Sequence, residues 1–426
     1  MLRISYEYAL LSEASYTDLE GIRDSDDLKT ALVNLNSIVD EDKGFSQIQA
    51  EDFVRHWRVA HHLPNTSTGF SATVFERVHN PGEFVFAMRG TEPTAQLGID
   101  LTLADIADIG ADGIALNQAI DLFNYYQRLI TPEDQLAHQY DLYEDTEPPP
   151  EGLEYIEYED GIPFTGTHYR YLVPAEPMQG LDIIPDTVAT IDTTGHSLGG
   201  HLALILSRLD PNRVGEVLTY NALGFDTGII GSDDTEWFFR AMVQIDINQM
   251  GMTTVGQFPV NIIDNLVAAQ DTISRTGHLP GNITPFDNEG ENWQSAHSMQ
   301  NVTDVLAVCN LFSALDPNAD LTEDITPICM AASWKADHSL EEWARSLSRL
   351  LGVSELLPAI DDREALYQAI YAIEAELFID RTTDNPQLKL SYQNLEVESL
   401  VDLTPEQIVA NKNNNPELTA NWRDAA

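Results

Sequence analysis

The chain has 426 residues, of which 43% are apolar, enough to bury a large core and too many for a disordered protein. Against 69 Asp and Glu stand 22 Lys and Arg, and the resulting net charge of -47 repels phosphate backbones, which excludes nucleic acid as a partner and opposes docking on strongly anionic membranes. No run of about 18 apolar residues occurs, so no membrane-spanning helix is expected, and Met1-Leu2-Arg3-Ile4-Ser5-Tyr6-Glu7 has no charged-then-apolar signal pattern.

Residues 8–16 read as a helix, followed by a polar loop and further helix to about Val59. Residues 71–78 and 83–88 are β-rich runs joined by His79-Asn80-Pro81-Gly82, a hairpin pattern. Residues 113–130 form an amphipathic helix with Ile114, Ile120, Leu122, Phe123, Tyr126 and Leu129 on one face. Residues 131–177 are acidic and proline-rich, containing Pro148-Pro149-Pro150, and read as a surface insertion with a hairpin around Gly161. The β-branched run 187–191 leads into Gly195-His196-Ser197-Leu198-Gly199-Gly200, and 201–209 is helical up to Asp210-Pro211. Strands are expected at 217–221 and 258–264, with an amphipathic helix at 235–250 between them that carries Trp237, Phe238, Phe239 and Met242. An apolar helix spans 302–315, charged amphipathic helices follow at 340–351 and 363–377, and the tail 411–426 is polar. Alternating strands and helices up to residue 330 indicate the α/β class. The chain therefore divides into an α/β domain, 1–330, and a helical C-terminal extension, 331–426.

Gly195-x-Ser197-x-Gly199 has the spacing of a nucleophile elbow. There a strand turns abruptly into a helix so that a serine oxygen stands clear of the sheet, and the tight turn needs glycine on both sides. The β-branched run before it and the helix-forming run after it supply that context. A nucleophilic serine also needs a base to take its proton and a carboxylate to orient the base. Amide donors must face the developing oxyanion, each worth roughly 3 to 4 kcal/mol. The elbow itself offers the Leu198 N–H.

Phe86-Ala87-Met88-Arg89-Gly90-Thr91, together with Thr194-Gly195-His196-Ser197-Leu198-Gly199-Gly200, resembles the class 3 (fungal-type) lipases. The early helix with Ala9, Ala14 and Tyr16 resembles that family's N-terminal helix, and the resemblance covers roughly residues 5–330. It implies an α/β-hydrolase fold, a central mostly parallel sheet flanked by helices, here with a C-terminal helical appendage. It implies a serine ester hydrolase with a Ser-His-Asp triad, and Thr91 as the second oxyanion-hole donor. The family order of serine, acid and base leaves His201, His278, His297 and His338 as bases. His297 is favoured: it lies 100 residues after the serine, on a loop entering the 302–315 helix, where the family keeps its histidine. The run from His297 to Asp304 also resembles lipase-like domains of large bacterial secreted proteins. For the acid, Asp246, Asp264, Asp271 and Asp287 lie in the interval. Asp271, heading Asp271-Thr272-Ile273-Ser274 before Leu279-Pro280-Gly281, fits the family pattern best, with Asp264 next. Residues 94–109 or 237–252 could form a lid.

The resemblance thus implies an ester or lipid substrate met at a transient lipid interface, with no cofactor or catalytic metal. The alternatives are a phospholipase A1-type toxin or effector, and a scaffold in which the elbow survives without activity. A bacterial protein, secreted or cytoplasmic, is expected. Two readings fit the acidity: adaptation to high salt, where screening tolerates self-repulsion, and secretion with folding on external Ca²⁺. A structural Ca²⁺ is compatible with the charge, but no EF-hand or glycine-aspartate repeat is present to hold it. Cys309 and Cys329, in apolar settings, read as buried free thiols rather than a disulfide, and two cysteines cannot build a thiolate zinc site.

Overall fold

The computed structural model describes residues 2–22, 24–34, 44–90, 114–160, 166–225, 234–245, 255–315, 321, 325–330, 338–350, 362–376, 390–392 and 395–397. In chain order the strands are β1 (Trp57–Leu63), β2 (Ala72–Arg77), β3 (Phe84–Met88), β4 (Leu136–Ala137), β5 (Tyr140–Asp145), β6 (Tyr155–Asp160), β7 (Gly166–Pro174), β8 (Met178–Gln179), β9 (Ile191–His196), β10 (Val214–Tyr220), β11 (Ile263–Ala268), β12 (Asn282–Phe286), β13 (Leu390–Tyr392) and β14 (Leu395–Val397). The helices are α1 (Leu2–Ala14), α2 (Ser25–Asn34), α3 (Gln47–His56), α4 (Leu116–Ile130), α5 (Leu198–Leu209), α6 (Asp234–Ile245), α7 (Trp293–His297), α8 (Met299–Leu315), α9 (Thr326–Met330), α10 (Ser339–Leu350) and α11 (Arg363–Glu376).

A seven-stranded sheet in the order β1-β2-β3-β9-β10-β11-β12 organises the molecule. From β3 to β12 the neighbours run parallel, while β1 and β2 add an antiparallel edge. Side chains alternate across each strand, and both faces are buried. On β3, Val85 and Ala87 join one apolar layer, and Phe84, Phe86 and Met88 the other. The first layer is closed by α1, α2, α3, α8, α10 and α11, the second by α4, α5 and α6. A mostly parallel sheet covered on both faces by helices is the α/β-hydrolase fold, as expected. Among the described residues no helix is long and apolar enough to cross a membrane.

Several boundaries differ from the sequence reading, each for a physical reason. The helix expected to reach Val59 ends at His56, and Trp57 turns extended (φ -128, ψ 145) to start β1 against β2. The run 187–190 is not strand; pairing with β3 and β10 begins at Ile191 and carries β9 through Gly195-His196. The strand expected at 258–264 starts only at Ile263, because Pro259 has no N–H for a ladder and Val260–Ile262 coils as a 3-10 turn. The insertion holds a three-stranded antiparallel sheet, β5-β7-β6, where a single hairpin was expected; Gly161 itself lies outside the described residues.

Helices α10 and α11 share their apolar layer with α1 and α8, through Leu340, Trp343, Leu366, Tyr367, Ile370 and Ile373. Arg363 reinforces this contact from a half-buried position. It donates to Glu13 of α1 at 2.7 Å and to Asp304 of α8 at 2.9 Å, and Asp304 also accepts from the Tyr367 hydroxyl at 2.8 Å. Cys309 and Cys329 are buried free thiols, and burial pushes Cys329 up to about 12, which leaves it an inert group at neutral pH.

Candidate active site

The C-terminal ends of the parallel strands gather the residues that carry chemistry, the usual position for a ligand site in such a sheet. Ser197 follows β9, Arg89-Gly90 follow β3, Asn221 follows β10, and Asp271 lies three residues beyond β11. The loop after β12 leads into α7, whose last residue is His297.

Ser197 sits at φ 56, ψ -123, a conformation that costs a non-glycine residue about 1–3 kcal/mol. Steric fit around the turn explains why it persists. A methyl at Gly195 would overlap the Gly199 backbone, one at Gly199 would overlap the Met88 carbonyl, and one at Gly200 would press on Ala222. With these three glycines the end of β9 nests against β3 and α5, and the turn is fixed from both sides. Leu198 opens α5, so its N–H has no acceptor within the helix and is available to an anion near Ser197.

The serine oxygen lies 2.8 Å from His297 Nε2, and His297 Nδ1 lies 2.8 Å from Asp271 Oδ2. An ionised carboxylate can only accept, so Nδ1 carries the proton and Nε2 receives the hydrogen bond donated by the serine hydroxyl. Asp271 is fully buried and accepts further from the Ile273 N–H at 2.9 Å and the Ser274 N–H at 3.4 Å. Burial alone would raise its carboxyl, but the hydrogen bond from His297 and the electrostatic pull of that ring, with help from Ser274 and Ile273, hold it below the usual carboxylate range. It is therefore ionised at neutral pH. Helix α7 is short and fixed at its start by Asn292, whose side chain accepts from the N–H groups of Gln294 and Ser295. The histidine thus ends a capped helical turn, where an irregular loop was expected.

Two buried residues, neither given a role by the sequence pattern, support this line. His196 donates from Nε2 to the His297 carbonyl at 2.6 Å and accepts at Nδ1 from the Tyr16 hydroxyl at 2.7 Å. Burial lowers it to about 3, so it stays neutral and places no charge beside His297. Gly90 lies so close that a methyl there would meet the Tyr16 hydroxyl and the His196 carbonyl. Asn221, at φ +47, contacts both the Ala268 and the His297 segments. The position of His196 inside the elbow was a sequence signal for the first; nothing local marked the second.

The other candidates lie elsewhere or point elsewhere. His201 is buried on α5, with Nδ1 donating to the Leu223 carbonyl at 3.2 Å and Nε2 accepting from the Ala115 N–H at 3.3 Å. His278 is exposed on a segment whose backbone pairs with Phe225, and His338 precedes α10. Asp264 sits within β11 and accepts from Asn282, and Asp287 accompanies the turn after β12. Thr91, Asp246 and residues 94–109 lie outside the described residues. Of the second expected lid, 237–252, the described part is core helix: Trp237, Phe238, Phe239 and Met242 are at most 1% exposed. Beside Leu198 lies a cavity of about 390 Å³, lined among others by Thr68, Ile114, Asn117, Gln118, Leu142 and Arg170. Leu142 and Arg170 come from the insertion sheet. Among the described residues no group of three or more His, Cys, Asp or Glu is placed to hold a metal ion.

No protein-family model matches the chain, and no curated protein matches it. Among solved structures it is similar to the Lip2 lipase of Yarrowia lipolytica, at 13% identity over 67% of this chain and 78% of that one, with a TM-score of 0.29. It is also similar to M37 lipase, at 15% identity over 63% of this chain and 69% of that one, with a TM-score of 0.24. What the site can do is read from its own geometry.

Proposed function

We propose that this chain hydrolyses carboxylic esters through an acyl-enzyme on Ser197. The observation that carries the reading is the hydrogen-bonded line from Ser197 through His297 to buried, ionised Asp271, with the serine on a strained strand-to-helix turn. In this reading the Ser197 oxygen attacks the ester carbonyl carbon while its proton passes to His297 Nε2. The imidazolium formed is stabilised by Asp271, and the oxyanion is held by the Leu198 N–H, with Thr91 as the second donor. Collapse breaks the bond to the alkoxy oxygen, which leaves as alcohol with the proton from His297. Water then attacks the acyl-serine with His297 again taking the proton, and the acid is released. The cavity beside Leu198 supports a substrate pocket at this point, and its mixed lining fits an ester with polar as well as apolar parts. No cofactor or metal enters this sequence of steps.

The test is hydrolysis of p-nitrophenyl esters of graded chain length, at low and high salt, by the native chain and by Ser197→Ala. Loss of about 10⁶ in kcat with the serine is expected. A Ser197→Ala protein as active as the native one would overturn the assignment. A maximum at long chains would mark a lipase, and one at short chains an esterase.

A further inference from the structure

The chain just past β10 touches all three segments that carry Ser197, Asp271 and His297. The Ser197 N–H donates to the Tyr220 carbonyl at 2.9 Å, and the Leu223 N–H donates to the Ser197 carbonyl at 3.3 Å. Between them lies Asn221, fully buried, whose own N–H donates to the Leu266 carbonyl at 2.9 Å. Its side-chain Oδ1 accepts from the Ala268 N–H at 2.8 Å, at the end of β11 and three residues before Asp271. Its Nδ2 donates in the other direction, to the carbonyls of Ala296 at 3.1 Å and His297 at 3.3 Å. One carboxamide therefore spans the loop of the acid and the helix end of the base.

The backbone strengthens the case. At φ +47 a side chain is disfavoured and glycine would be free of strain. Glycine, however, has no carboxamide. The chain holds a strained residue at the one place where its side chain joins two loops, which is the direction in which strain points to a role. The Asp271–His297 bond joins segments that leave different strands, β11 and β12. Their separation has to be held if the imidazole is to keep its orientation toward Ser197.

We propose that Asn221 is a positioning residue, a brace whose carboxamide sets the distance between Asp271 and His297 and so keeps the histidine aligned for proton transfer. The catalytic consequence rests on the ester-hydrolase reading above; the geometric one does not. Asn221 is not among the groups that touch substrate in this reading.

Asn221→Gly removes the brace while relaxing the backbone. Asn221→Asp keeps the acceptor for Ala268 but turns lone pairs toward two carbonyls. Asn265→Ser is the control: Asn265 is equally buried, and its side chain bonds Thr219, Pro280 and Asn282 instead. The readouts are kcat and KM for p-nitrophenyl butyrate per folded molecule, and the proton NMR signal of the His297 Nδ1–H. For Asn221→Gly a fall in kcat of about 10²-fold is expected, the size of effect that a small misplacement produces, with KM unchanged. Its Nδ1–H signal should be lost to solvent exchange, and Asn265→Ser should change neither. Native kcat and an intact Nδ1–H signal in Asn221→Gly would overturn the proposal, as would an equal loss of kcat in Asn265→Ser. If Asn221→Gly does not fold, Asn221→Asp carries the same comparison. If the native chain hydrolyses no ester, the ester-hydrolase reading fails by itself and the NMR signal decides the brace: lost in Asn221→Gly alone it stands, retained it falls.

Discussion

Around Ser197 the strain of one residue is matched by the smallness of its neighbours: the positive φ is held because three glycines let β3, β9 and α5 approach more closely than any side chain would allow. Asp271 shows the same economy with charge. Burial works against its ionisation, yet His297 and the Ile273 and Ser274 groups keep it anionic. Replacing it with asparagine keeps shape and burial but removes the charge that would stabilise the imidazolium, and it lets an amide donor face Nδ1 and invert the tautomer. Asp271→Asn should therefore lower kcat by about 10⁴-fold with a native circular-dichroism spectrum. A variant within tenfold of native activity would show that the carboxylate is not the orienting group. Ser197 stood out in the sequence through the glycines around it, whereas Asp271 and His297 were chosen from four candidates each by the resemblance to the lipase pattern; the structure brings the three side chains into one hydrogen-bonded line. The place of His196 inside the elbow is visible in the sequence, but His196, Tyr16 and Asn221 meet partners 47 to 180 residues away in the chain, and no local pattern names such partners.

At the scale of elements, the C-terminal helices are the part whose relation to the site is least evident from their sequence. Their charged, amphipathic character reads as an appendage, but their apolar faces enter the layer formed by α1 and α8, and α8 begins two residues after His297. Arg363 ties the three helices together and is the counter-ion of two buried carboxylates, Glu13 and Asp304. Removing one partner of such a cluster leaves uncompensated charge in a low dielectric. Arg363→Met should cost about 3–5 kcal/mol of unfolding free energy, measured by urea denaturation. A midpoint unchanged from the native chain would mean that the two carboxylates find other solvation and that the ion-pair cluster adds no stability. The shifted strands teach a related lesson. Residues 187–190 have the composition of a strand but no neighbour to pair with, whereas 263–268 gain two partners once Pro259 is passed.

For the whole molecule the dominant quantity is a net charge of -47 carried by 426 residues. Self-repulsion of that size opposes the compact state, and salt shortens its range from a Debye length of about 10 Å at 0.1 M to about 3 Å at 1 M. The melting temperature should therefore rise between about 0.1 M and 1 M NaCl, by more than the same change produces in a near-neutral protein of similar size. A flat or falling dependence, followed by scanning calorimetry, would show that the carboxylates are too dispersed for their repulsion to matter.

By itself the sequence determined the α/β class, because the alternation of strand-like and helix-like runs is a local property of the chain. It also determined the glycine spacing around Ser197, since a tight turn is made by consecutive residues. Only the tertiary structure decided which strands pair, whether the C-terminal helices join the core, and which buried side chains bond the segments that carry Asp271 and His297. Those outcomes depend on contacts between residues far apart in the chain, and the free energy of such a contact belongs to the pair, not to either residue's neighbourhood in sequence.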